Sequence, residues 1–256
     1  MAETRAAFPF SPIIVGYRGS IAHGMYLANT DPNSIDDKDI MGVTIAPLSY
    51  YLGLDRFQQV EWAEGEYDIV TYEFTKYLRL LCKSNPNVLS LLWLDEQHYI
   101  HRTSAGRKLI ESRDLFVSKQ IYHSFTGYAY GQLKRMEHCT HRGYMGAKRK
   151  ALVEKYGFDT KNAAHLIRLL RMGIEFLNEG ILYVHRQDAP QLLEIKRGEW
   201  TLDRVKGEAG RLFRRAEDAY DKSPLPARVS DAHISNLMRE IMVKHFDIQG
   251  ARNWNC

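Results

Sequence analysis

The chain predicts an α+β protein: a small mixed β-sheet flanked by helices, followed by a helical domain. Three observations predict it. Up to about residue 72, short β-branched and apolar runs alternate with turn formers. From Glu73 the apolar period changes to 3.6, and beyond about residue 103 the pattern is almost wholly helical. The change falls near 103–116 without a Gly-, Ser- or Pro-rich linker, which predicts domains at 1–115 and 116–256, the second closing a cleft over the first.

The run Ile13-Ile14-Val15-Gly16-Tyr17 reads as a buried strand. Arg18-Gly19-Ser20 breaks it, and 20–28 can form a helix. Residues 29–35 are turn formers, and an apolar strand follows over 39–46. Strands at 58–62 and 67–72 flank Ala63-Glu64-Gly65-Glu66, a hairpin signal. Phe74, Tyr77, Leu78 and Leu81 make one helix face, which Lys83-Ser84-Asn85-Pro86 stops. Asn87 is placed to cap a helix over 88–94. Helices are then expected at 104–112, 116–140, 145–156, 159–179, 201–222 and 230–246, with a strand pair at 181–185 and 191–195.

With 256 residues, 45% hydrophobic and 26% charged, the chain is an ordinary globular one. No stretch approaches the roughly 20 apolar residues of a membrane span, and Glu3, Pro9 and Pro12 interrupt the first apolar run, unlike a secretory signal. Cys82, Cys139 and Cys256 are too few for a disulfide framework or a cysteine zinc site, so a reducing cytoplasmic setting is expected. Residues 1–115 carry 11 Lys/Arg against 15 Asp/Glu; residues 116–256 carry 24 against 16. An acidic half joined to a basic half fits an enzyme that holds a polyanion, though Lys- and Arg-rich helix surfaces give the same count.

The chemistry concentrates near the N-terminus. A glycine and a hydroxyl at the strand-to-helix turn, Gly19-Ser20, let a phosphate approach backbone N–H groups. Asp37 and Asp39 lie two apart, so on a strand they share a face. Asp36 would not share that face with Asp39, which favours the 37/39 register. Paired carboxylates repel unless a cation separates them, and Mg²⁺ suits oxygen ligands that include substrate phosphates. Two metals would stabilise the entering and leaving oxygens of an in-line displacement. Asp68, alternating with Val70 and Tyr72, is the choice for a third ligand, ahead of Glu66 and Glu73.

Gly19-Ser20, His23-Gly24, Asp37-x-Asp39 and the strand Asp68 resemble the polymerase beta-type nucleotidyltransferase superfamily. Stretches at 83–89 and 165–170 are similar to a bacterial and phage branch of it. The resemblance implies that Gly19 and Ser20 hold nucleotide phosphates, that Asp37 and Asp39 bind two Mg²⁺ ions (Mn²⁺ substituting), and that Asp68 binds the catalytic ion and draws the proton from the attacking hydroxyl. An NMP group would pass from an NTP to a hydroxyl, an RNA 3′ end being favoured by the basic half. The alternatives are a protein-AMPylating enzyme of toxin–antitoxin type and a silent nucleotide- or RNA-binding module.

In the helical half, Lys161, His165 and Arg168 fall on one face of the helix at 159–179. They can hold a triphosphate or RNA phosphate, or be a solvated face with a buried histidine. His23, one turn after Ser20, can touch phosphate or satisfy a backbone carbonyl. Lys148, Arg149 and Lys150, near Arg142, read as a solvated helix end ahead of an RNA grip. His138-Cys139-Thr140-His141 lacks a second ligand pair for zinc. Tyr122, Tyr128 and Tyr130 could stack bases, although core packing is commoner at helical spacing.

Overall fold

The β-branched residues of the N-terminal half build a mixed five-stranded sheet, ordered β3-β4-β2-β1-β5. In the computed structural model, which describes residues 8–28, 30, 31, 34, 36–137 and 147–247, these strands are β1 (Pro12–Tyr17), β2 (Lys38–Thr44), β3 (Gln59–Glu64), β4 (Tyr67–Glu73) and β5 (Tyr99–Arg102). β2 and β4 are parallel; the other neighbours are antiparallel. The expected hairpin is β3–β4, closed by Gly65 at φ +60°.

Alternation along β2 assigns its two faces. Met41 and Val43 enter the main core, while Ile40 joins Val15 and Ile69 in a small cluster on the opposite face. The main core continues from Ile13 through Leu166, Ile167 and Leu170 to Ile241, so sheet and helices share one apolar interior. Burying each such Leu or Ile stabilises by roughly 1.5–3 kcal/mol before conformational entropy is counted.

The helices are α1 (Gly19–Ala22), α2 (Ser49–Leu52), α3 (Phe74–Cys82), α4 (Pro86–Leu89), α5 (Ser104–Glu111), α6 (Gln120–Glu137), α7 (Ala147–Tyr156), α8 (Thr160–Glu179), α9 (Ala189–Lys196), α10 (Leu202–Lys222) and α11 (Asp231–His245). Helix α8 is central to the helical half. Asp159 caps it by accepting from the Asn162 N–H, and Gly180 ends it at φ 72°. α6, α9 and α10 pack around it.

Three local expectations are corrected. The helix expected over 20–28 is the single turn α1, closed by His23, whose carbonyl accepts from the Arg186 N–H, and followed by Gly24 at φ +70°. The cap after α3 is Asn85, whose side chain accepts from the Asn87 N–H. The strand pair at 181–185 and 191–195 does not form: burial alternates along 181–186, but no β-ladder is present there, and 191–195 lies in α9. His138, Cys139, His141 and Arg142 lie outside the described residues, as does Cys256.

Candidate active site

Asp39 and Asp68 are direct partners in the parallel β2–β4 ladder. They point to the face that carries Met41 and Val70, toward the helices. Asp37 precedes β2 and is exposed. β1 ends beside this pair: the Arg18 N–H donates to the Asp39 carbonyl at 2.9 Å. Its guanidinium lies 3.8 Å from Asp39 and 3.5 Å from Asp68.

Gly19 then adopts φ +61°, and a Cβ there would stand 2.1 Å from Asp39 Oδ2. Only glycine allows the turn to wrap this closely around the carboxylate. Burial raises the Asp39 pKa, with Asp68 and Asp37 adding to the rise and Arg18 and Lys161 opposing it. A carboxyl in that condition gains from a cation. The donor set is all oxygen, and a guanidinium already lies within 4 Å of two of its members. The residues therefore fit a hard divalent ion. The three aspartates are not a tight trio, however; among the described residues, the group whose ligand atoms all lie within 4.8 Å of one another is Asp95, His98 and His185.

Asp36 is excluded from the ligand set by its surroundings. Its buried carboxylate accepts from the Leu27 N–H at 3.0 Å, pairs closely with Lys196 and lies 3.3 Å from Lys161. Burial alone would raise its pKa, but the charge and hydrogen bond of Lys196 hold it below the usual value. Glu66 pairs with Lys38, and Glu73 caps α3 while accepting from the Tyr51 hydroxyl. Neither weaker candidate joins the site.

Between the β1–α1 turn and α8 lies a cleft of about 250 Å³. It brings Gly19, Ser20, His23 and Asp39 together with Lys161, His165 and Arg168; Asp37 and Asp68 are not part of its wall. His23 Nδ1 donates to the Val184 carbonyl at 2.8 Å, which leaves Nε2 to accept from Arg168. Burial, then the Arg168 charge, depresses the His23 pKa far below its ordinary value. His23 is thus neutral, with both nitrogens engaged, and orients Arg168. Burial lowers Arg168 to about 9, so it stays charged at neutral pH. His165 falls to about 3, through burial and then Arg168 and Lys161.

Sequence reasoning missed Arg18 and Lys196. Arg18 carried a signal, since it directly precedes Gly19. Lys196 carried none: a lysine ending a helix reads as an ordinary dipole partner, and its pairing with Asp36 spans 160 positions. Asn87 and Pro86 also line the cleft. Arg149 lies 3.4 Å from Asp159, and Tyr122 packs on Tyr220, whereas Tyr130 is 52% exposed.

A mixed sheet with paired strand aspartates beside a glycine turn is the arrangement expected of a polymerase beta-type nucleotidyltransferase. The chain belongs to the RNA repair pathway DNA polymerase beta family (RlaP), whose model matches residues 13–239. A nucleotidyltransferase-like protein from Exiguobacterium sibiricum 255-15 is similar over 95% of this chain and 78% of its own, with 10% identity and a TM-score of 0.30. No curated protein matches the chain. Among the described residues, no helix is long and apolar enough to cross a membrane.

Proposed function

We propose that the protein transfers an NMP group from an NTP to the 3′-hydroxyl of an RNA. The carrying observation is the in-register pairing of Asp39 with Asp68, with Gly19 folded against the Asp39 carboxylate. The hydroxyl oxygen bonds to the α-phosphorus, the bond from that phosphorus to the α–β bridging oxygen breaks, and pyrophosphate leaves. Asp68 takes the hydroxyl proton. Asp37, Asp39 and Asp68 would hold Mg²⁺ or Mn²⁺, two ions in the full site, supplying charge neutralisation along the triphosphate.

The chain's own groups bind and orient. Lys161 and Arg168 supply positive charge opposite the carboxylates, and neutral His23 holds Arg168 in place. Gly19 and Ser20 form the wall against the phosphates. With a cation between the aspartates, Arg18 would be free to turn to a phosphate oxygen. Positioning and charge complementarity carry the catalysis. The RNA acceptor is supported by the family's description and by the excess of Lys and Arg over residues 116–256.

Incubation with α-labelled NTPs, Mg²⁺ and either total RNA or protein lysate tests this. Label in RNA, lost in Asp39→Asn and Asp68→Asn, is expected. Label only in protein would move the acceptor to a protein hydroxyl. NTP binding without Mg²⁺ dependence or turnover would favour a silent module.

A further inference from the structure

Away from the cleft carboxylates, three side chains from two distant segments converge. Asp95 precedes and His98 ends a single 3₁₀ turn, in which the His98 N–H donates to the Asp95 carbonyl at 2.9 Å. Three residues per turn superimpose side chains at i and i+3, so both project to one side. His185 arrives on the exposed side of segment 181–186, along which burial alternates. Its ring stacks on His98 with centroids 6.0 Å apart and planes within 19°. Its Nδ1 lies 3.9 Å from Asp95 Oδ2. One ligand atom from each residue lies within 4.8 Å of the other two.

One further observation points to a ligand, and one accounts for the placement of His185. His98 Nδ1 is a buried nitrogen without a hydrogen-bond partner, a cost that a lone-pair acceptor would remove. Gly24, at φ +70°, leaves space that the His185 ring fills, since a Cβ there would meet His185 Cε1 at 3.0 Å.

We propose that Asp95, His98 and His185 form a second metal site, for Zn²⁺ or a similar borderline first-row ion. Two imidazoles and one carboxylate select such ions over Mg²⁺, which prefers an all-oxygen shell. With Asp95 and His185 half-exposed, both can close the short remaining distance, and the fourth position faces solvent. The ion acts as a staple. It ties segment 181–186 to the turn after the sheet helices, and Val184 of that segment accepts the hydrogen bond that sets the His23 tautomer. Arg168 is thereby positioned from outside the cleft. The site stands whether or not the cleft transfers nucleotides.

Untagged protein is stripped with chelator, equilibrated with Zn²⁺ in excess Mg²⁺, dialysed and assayed for bound zinc and for its unfolding midpoint. Wild type and Asp39→Asn are expected to retain one Zn²⁺ per chain and to unfold at higher temperature with it. His98→Asn and His185→Asn are expected to retain none and to show no rise. Asp95→Asn, altering a half-exposed side chain, keeps the test decisive if a histidine variant does not fold; it should weaken retention. Equal zinc in wild type and the His98 and His185 variants, loss of zinc in Asp39→Asn, or no retention by wild type each overturns the proposal.

Discussion

Asp36→Asn removes one charge from a carboxylate with no exposed side-chain surface and leaves its shape. Lys196, 3% exposed, then keeps its ammonium against the Met25 carbonyl at 2.9 Å and a neutral amide in place of a carboxylate. Breaking a buried pair by neutralising one partner costs about 3–5 kcal/mol, because the other charge stays desolvated. For a chain of this size, about 2–4 °C is lost per kcal/mol, so the melting temperature should fall by about 10 °C. Differential scanning calorimetry at pH 7 measures it. Adding Lys196→Met removes the stranded charge and should recover at least half of the loss. A fall below about 2 °C, or further destabilisation by Lys196→Met, would refute the assignment of Asp36 to a structural ion pair.

Gly19→Ala should abolish nucleotidyl transfer and cost about 1–2 kcal/mol, since alanine is strained at positive φ and its methyl collides with Asp39; activity at the wild-type level would contradict the close wrap. Arg18→Gln removes a cation from between Asp39 and Asp68, so Mn²⁺ should bind the nucleotide-free protein roughly tenfold tighter by calorimetry. Unchanged or weaker binding would defeat that competition. His165 titrates at about 3 when folded against an ordinary 6.5, so the unfolded chain takes up its proton first as pH falls. Stability is full above pH 6.5 and declines toward pH 3; between pH 7 and 5 the loss reaches about 2 kcal/mol, and His165→Gln should flatten that slope in urea titrations.

The strands were legible because β-branched runs and turn formers coincide, and α8 because Asp159, Gly180 and the 3.6 period agree. The Asp39–Asp68 pairing was legible in part: alternation gives the face, but only the parallel register gives the partner. Segment 181–186 misled for a physical reason. Leu182 and Val184 are buried on alternate positions, as in a strand, yet the Val184 carbonyl meets a histidine side chain and the Arg186 N–H meets the His23 carbonyl. Periodicity reports burial, not the identity of hydrogen-bond partners. Lys196 and the approach of His185 to Asp95 and His98 were invisible because their partners lie far along the chain.

The parallel joining of β2 to β4 also sets the order of events on the ribosome. A hairpin cannot make that ladder, so β3 and its flanking loops must emerge first. Even then, Asp36 waits for Lys196 and His23 for Arg168, contacts spanning 160 and 145 positions. A nascent chain halted before α8 would display its aspartates without the basic wall opposite them. The wall of the cleft is therefore complete only once α8 and α9 have joined the sheet.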